Sequence, residues 1–312
     1  MDIKQIGFVG LGIMGAPMAA NLGKAGFKLN LYDIDRAAAE KAGRQIQDVA
    51  IMSSPKEVAR ASDVVIAMLP SGEYVRSVIT GPEGLAQGFR DGAIFIDTSS
   101  SEPWITTEIS ELLEIQGVKM IDAPVSGAQI GAQQAELIFM VGGEAETIAH
   151  VRPLFEAMGK QYFHLGGVGS GHMMKCINNL ITAMTFLATA EGLIIGKRCG
   201  IEPSVMTEVL NVSTGMSWIS QTHIKQRIIN RKFDDAFKLG LMIKDIGIAM
   251  DLAGKCGVPV PVSALGHQLW KAAGIFCEKN SSISNVVRWV EHLSGVEISP
   301  VQAPTDKVSP ML

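Results

Sequence analysis

The first half of the chain alternates short, continuously apolar runs with helix-like stretches. The runs are Gln5–Gly10 (QIGFVG), Leu29–Asp33, Asp63–Leu69 (DVVIAML), Ala93–Asp97, Val118–Asp122 and Leu137–Val141. Turn signals close most units: Leu69-Pro70-Ser71-Gly72, Gly81-Pro82, Asp91-Gly92 and Gly142-Gly143. Runs that are apolar on both faces, separated by helical segments, predict buried parallel strands covered on two sides. From about Gly166 the texture changes. After the loop Gly166-Gly167-Val168-Gly169-Ser170-Gly171 no convincing strand follows. His172 to Arg198 has no proline and reads as one helix, ~40 Å long at 1.5 Å per residue. Further helical blocks are expected at Pro203–Leu210, Phe237–Gly254, Val262–Ala273 and Ile283–Leu293. The expected fold class is therefore α/β: a Rossmann-type, doubly wound, mostly parallel sheet over residues 1–165. An all-helical second domain would follow over 166–298, and an aperiodic stretch over 299–312 reads as a flexible tail.

Composition narrows the function. Apolar residues make up 47% of the 312, as in soluble globular proteins. Charged residues are only 19%, below the usual ~25%, which predicts extra buried surface and a homodimer or homotetramer. The net charge of −4 and the lack of a basic stripe argue against a nucleic-acid partner. The four cysteines, Cys176, Cys199, Cys256 and Cys277, form no C-x-x-C pair, so neither a zinc knuckle nor a redox pair is indicated. Free thiols fit a reducing compartment, and a cytoplasmic protein is expected. No charged-then-apolar leader precedes the first strand, so no signal peptide is expected. The most apolar stretch, Cys176–Gly196, holds Asn178, Asn179 and Glu191. It is too polar for an uninterrupted ~20-residue span and reads as a buried helix, with no membrane partner. Six histidines without clustered spacing indicate no metal.

One loop carries specific chemistry. Gly10-Leu11-Gly12-Ile13-Met14-Gly15 fits G-x-G-x-x-G. The pattern alone is compatible with a ligand-free glycine turn, but here a strand ends at Gly10 and a helix begins after Gly15. In that setting the first glycine makes the tight turn and the second lets backbone N–H groups approach a pyrophosphate. The third lets helix and strand pack closely, with the helix N-terminus facing the anion. Asp33, at the end of the second run, stands where a carboxylate accepts hydrogen bonds from ribose hydroxyls. It favours NAD over NADP, since a carboxylate repels a 2′-phosphate; Arg36 nearby is the group that could bind that phosphate instead. Leu69-Pro70 and Ser100 each lie just past a strand's carboxyl end, where open α/β sheets hold ligands.

Four ordered blocks then give the chain a resemblance to the β-hydroxyacid dehydrogenases. They are Gly7–Gly26 (GFVGLGIMGAPMAANLGKAG), Asp122–Gly143 (DAPVSGAQIGAQQAELIFMVGG), Gly169–Asn179 (GSGHMMKCINN) and Lys244–Ala253 (KDIGIAMDLA). The resemblance covers residues 3 to about 298. It implies NAD(P)-linked oxidation of a small 3-hydroxy acid to a semialdehyde or keto acid, or the reverse, by an oligomer of this two-domain plan, with hydride passing in the cleft between domains. It further implies Lys175 as the catalytic lysine and Asn179 as its companion. Ser126-Gly127, with Ala128, would form the substrate-carboxylate site, Lys244 a cation beside the nicotinamide, and Ser100 a cofactor contact.

The residue types suit those roles. Lys175 and Asn179 share one helix face, amid Met173, Met174, Cys176, Ile177, Leu180 and Ile181. Burial among apolar neighbours lowers a lysine's pKa, so such an amine can exchange a proton near neutrality. The plainer reading is a lysine that snorkels to water. Asn179 offers one acceptor and two donors, or is simply an amide satisfied within its helix. A serine hydroxyl with backbone N–H groups makes a carboxylate cradle, or only a glycine turn. Lys244-Asp245 also reads as a surface ion pair. The chain departs from the family pattern at Ala128, where the family has glycine, and at Ala135-Glu136, where it has Gly-Thr. His172 and the Ser213–Trp218 stretch (STGMSW) are distinctive too, with Trp218 either lining the substrate end or buried in the core. The two competing functions are an imine reductase, which would carry another residue in place of Lys175, and a catalytically silent NAD-binding sensor.

Overall fold

The computed structural model describes residues 3–300; most of the expected tail, from residue 301 on, lies outside the described residues. Nine strands form one sheet: β1 (Gln5–Val9), β2 (Lys28–Tyr32), β3 (Val49–Ile51), β4 (Val64–Ala67), β5 (Ile94–Asp97), β6 (Lys119–Asp122), β7 (Val125–Ser126), β8 (Leu137–Gly142) and β9 (Gly159–Gly166). Their spatial order is β3-β2-β1-β4-β5-β6-β8-β7, with β9 beside β8. Strands β1 to β6 pair in parallel. Strand β8 runs antiparallel to β6 and β7. The six runs read from sequence all appear. Strand β9 does not announce itself because most of its side chains face outward, and β3 and β7 are too short to show a period.

The crossover helices are α1 (Gly15–Lys24), α2 (Arg36–Gly43), α3 (Pro55–Arg60), α4 (Gly72–Thr80), α5 (Pro103–Glu114), α6 (Ala128–Gln134) and α7 (Ala145–Met158). Buried β4 and β5, apolar on both faces, put Ile66 and Ile96 against one layer and Val65 and Phe95 against the other. The chain leaves β1 in one direction across the sheet and β4 in the other. That reversal makes a crevice at their carboxyl ends, the usual ligand position in this fold.

Helix α8 (Ser170–Arg198) follows. By compactness the chain divides into two units, Met1–Ile177 and Asn178–Leu312. The second unit holds α9 (Pro203–Asn211), α10 (Trp218–Thr222), a π-helical turn over Ile224–Ile229, α11 (Leu239–Lys255), α12 (Pro261–Phe276) and α13 (Val286–Ser294). No strand occurs there among the described residues, only an isolated bridge between Lys238 and Ser282. By length and hydropathy α8 could cross a membrane. Its Ala183, Phe186, Ala190 and Leu193 instead lie in the core of the helical unit, around the fully buried Trp270. The Trp270 indole N–H donates to the Ala183 carbonyl (3.1 Å), so even that polar edge is satisfied.

Candidate active site

The glycine loop is built as the fingerprint requires. Gly10 has φ +91°, and a side chain there would meet the Met68 carbonyl; one on Gly15 would run into the Gly10 carbonyl. At Gly12 an added carbon meets nothing within 4 Å, leaving the open approach that a pyrophosphate needs. The Asp33 carboxylate accepts from the N–H of Leu11 at 2.6 Å and of Asp35 at 2.8 Å. It thereby ties the end of β2 to the glycine loop. Arg36 is turned to Glu40 on its own helix, 3.0 Å away. Leu69 donates its N–H to the Ser99 hydroxyl at 2.9 Å, which joins the Leu69-Pro70 turn to the one bearing Ser100. Loop, carboxylate and both turns, with Ile13 and Met14 between the glycines, thus lie at the carboxyl ends of β1, β2, β4 and β5. They fit a dinucleotide, and Asp33 suits one without a 2′-phosphate.

Ser126 closes the two-residue strand β7, so it is part of the sheet and not of a free turn. Gly127 (φ +128°) caps α6, whose first residue, Ala128, is exposed with φ +52°. The other family glycine replaced here, Ala135, has φ +56° and ends the same helix. Both alanines therefore hold backbone that glycine adopts more easily.

Helix α8 starts against the sheet because Asp122, fully buried at the end of β6, accepts the N–H groups of Gly169 (2.6 Å) and His172 (2.8 Å). A carboxylate suits a helix N-terminus. Lys175, half-buried in the next turn, donates from Nζ to the Val125 carbonyl at 2.8 Å. The amine is thus held beside the backbone of the residue just before Ser126. A carbonyl can only accept, so this bond leaves the nitrogen lone pair of a neutral amine uncommitted to Val125.

In the second unit, Asn179, 5% exposed, donates from Nδ2 to Asp245 Oδ2 at 2.6 Å. Lys244 Nζ stands 3.0 Å from the other oxygen, Oδ1. Asp245 is only 2% exposed, so the Lys244-Asp245 pair is not a surface pair. Asp245 is the functional candidate that sequence reasoning left out, having read it only as half of a surface ion pair. His172 is likewise buried, in the first turn of α8. Trp218 is neither core nor enclosed: it is 53% exposed, with its ring on that of His223 at 4.4 Å.

Comparison with known proteins places the chain in a family. The family described as the NAD binding domain of 6-phosphogluconate dehydrogenase matches residues 5–166. That described as NAD-binding of NADP-dependent 3-hydroxyisobutyrate dehydrogenase matches residues 169–290. The chain is 32% identical over 295 residues to 2-(hydroxymethyl)glutarate dehydrogenase of Eubacterium barkeri, covering 95% of this chain and 97% of that one. It is 35% identical over 275 residues to the NAD-dependent L-serine dehydrogenase of Pseudomonas aeruginosa, covering 86% and 92%. The solved 3-hydroxyisobutyrate dehydrogenase of Mycobacterium tuberculosis with L-serine superposes with a TM-score of 0.84 at 33% identity, over 93% of this chain and 99% of that one. With both halves matched in order over nearly the whole length, the chain belongs to the β-hydroxyacid dehydrogenase family.

Proposed function

We propose that this enzyme, an NAD(P)-dependent dehydrogenase acting on CH–OH donors, oxidises 3-hydroxypropanoates of the form HOCH2–CHR–COO⁻ to the corresponding semialdehydes, or reduces those semialdehydes, with NAD preferred. The class is drawn from the substrates that the relatives' names give. L-serine, 3-hydroxyisobutyrate and 2-(hydroxymethyl)glutarate share a primary alcohol one carbon from a carboxylate and differ only in R. The observation that carries the reading is the Lys175 amine fixed at 2.8 Å on the Val125 carbonyl, directly before Ser126. That contact supports an acid/base group and an anion clamp built on neighbouring backbone.

When bound, the nicotinamide supplies the acceptor or donor of hydride. The protein's share is binding, orientation and a proton. Ser126, Gly127 and Ala128 hold the carboxylate by a hydroxyl and backbone N–H groups. With the head group anchored there, Lys175 accepts the alcohol proton as hydride departs; in reverse, its ammonium donates to the developing alkoxide. Asn179 is the orienting amide and is itself held by the Asp245 carboxylate. Lys244 supplies positive charge on the cofactor side. A homo-oligomer is part of the same reading, supported by exposed Val262, Leu265 and Ile275 on α12.

The test is a panel of 2-substituted 3-hydroxypropanoates run with NAD and with NADP, on wild type and on Lys175→Ala. The expected result is turnover with NAD and a loss in kcat of ~10²-fold or more in the variant, with NADH binding, read by fluorescence, near wild type. Unchanged kcat in Lys175→Ala removes the amine from the chemistry. Tight NADH binding without turnover on any acid marks a sensor instead.

A further inference from the structure

We propose that His172 is a positioning residue that locks the start of α8 to the loop bearing Ser100, and so fixes the distance between the Lys175 amine and the cofactor loops. The inference rests on the reading of Lys175 as the acid/base. His172 is 1% exposed, in the first turn of α8 and one turn ahead of Lys175. Its Nε2 lies 3.1 Å from the Ser99 carbonyl oxygen. A carbonyl accepts only, so Nε2 carries the proton. Its Nδ1 lies 2.7 Å from the Thr106 hydroxyl on α5. The ring is therefore gripped at both edges, by two elements other than its own.

Ser99 is the junction of the cofactor side. Its hydroxyl accepts from the Leu69 N–H at 2.9 Å, its N–H donates to Asp97 Oδ1 at 2.9 Å, and the next residue is Ser100. Asp97 and Asp122 each present an oxygen 3.7 Å from a ring nitrogen, and Asp97 is held in turn by the Ser101 hydroxyl at 2.7 Å. One imidazole thus connects the Leu69-Pro70 turn and the Ser100 turn to the helix carrying the amine. If α8 slides or turns relative to the sheet, the Nε2–Ser99 bond stretches as Lys175 leaves its place. Loss of alignment of about 1 Å is enough to reduce an enzymatic rate by ~10².

The two ring bonds can be separated. A glutamine amide nitrogen reaches the place of Nε2 and can donate to Ser99; an asparagine carbonyl reaches only the place of Nδ1 and can accept from Thr106. Each variant keeps one of the two bonds, so a role in stability alone moves both alike. The measurement is kcat, KM and NADH dissociation constant for His172→Gln, His172→Asn and Lys175→Ala, with Tm beside them. The expected result is that His172→Gln stays within about threefold of wild type, while His172→Asn loses ~10-fold or more in kcat. KM for the hydroxy acid should move less than kcat, and Tm should be similar in the two. Equal kcat in the two variants, or no loss in His172→Asn, overturns the inference. Should His172→Asn fail to fold, Thr106→Val breaks the other bond and leaves Ser99 engaged; a kcat loss there as large as tenfold also overturns it. Activity retained in Lys175→Ala is a failure of the lysine reading itself and is seen separately in the same series.

Discussion

Replacing Ala135 with glycine should stabilise the protein. Ala135 ends α6 with φ +56° and ψ +39°. Its own N–H and that of Glu136 both close on the Gly131 carbonyl, the latter at 2.8 Å. Paired bonds of this kind at a helix C-terminus put a residue into left-handed backbone, a place that glycine usually fills. An L-residue with a Cβ in that region costs ~1–2 kcal/mol. Glycine removes this strain but adds freedom to the unfolded chain, worth ~0.4–1 kcal/mol in the other direction. The difference is a net gain of ~0.5–1 kcal/mol, or ~1–4 °C in Tm for a unit of this size. Ala128, φ +52°, gives the same arithmetic at the other end of the helix. The seven residues of α6 separate the sites by ~10 Å at 1.5 Å per residue, so the two gains should add.

Activity separates the two sites. Ala128→Gly also loosens the segment that follows Ser126-Gly127, and KM for the hydroxy acid should rise while kcat changes little, because a less pre-organised clamp binds ground state and transition state alike more weakly. Ala135→Gly should leave KM unchanged. Calorimetry and urea titration of the single and double variants provide the check. A lower Tm for Ala135→Gly, at unchanged denaturant m-value, would refute the strain argument.

Three further outcomes are expected. Asp245→Asn removes the charged acceptor of Asn179; hydrogen bonds to charged groups are worth ~1.5–3 kcal/mol, and kcat should fall by ~10-fold or more with NADH binding nearly intact. Equal kcat in steady-state assays would detach Asp245 from the site. Asp33→Ser should shift the NAD:NADP ratio of kcat/KM toward NADP by about tenfold, since the repelling carboxylate is gone and the exposed Arg36–Glu40 pair, worth only ~0.3–0.5 kcal/mol, yields easily; an unmoved ratio counts against Asp33 as the selector. Asp235, in the helical unit, is driven upward by burial, but the hydrogen bonds from His223 and Ser284 and the His223 charge outweigh this and hold its pKa down to about 2. A carboxylate whose folded pKa is depressed stabilises the fold above its unfolded value and loses that stabilisation as the pH falls. The advantage of wild type over Asp235→Asn, about 2 kcal/mol at neutral pH, should therefore shrink between pH 4 and pH 2, as urea unfolding across that range will measure.

The parallel strands were legible because burial on both faces writes them as unbroken apolar runs. Strand β9 was not, since Gln161, Phe163, His164 and Leu165 are solvent-facing and mix polar with apolar types. Ser126 read as turn because a strand of two residues has no period to detect. The glycine loop was legible for a local reason: turn, approach and packing each exclude a side chain at a fixed spacing. Asp245 was not, because its partner Asn179 is 66 residues away in sequence and nothing in Lys244-Asp245 tells a buried carboxylate from a solvated one. Ala128 and Ala135 were visible as substitutions, yet their positive φ belongs to the backbone and not to the letters.

These failures have one cause, and it bears on how the site works. Groups that exchange protons or approach a ligand must be of particular chemical types, so they can be found by type and spacing. Groups that hold them in place need only offer a donor or an acceptor at the right point, and many residue types can do so. Asp122 is an example: it lies 53 residues from Lys175 in sequence (175 − 122), and its two bonds to the first turn of α8 set where that amine emerges. Its neutral isostere keeps one oxygen to accept while the other position becomes a donor facing an N–H. Asp122→Asn should therefore displace the start of α8 and lower kcat with every residue of the motif still present.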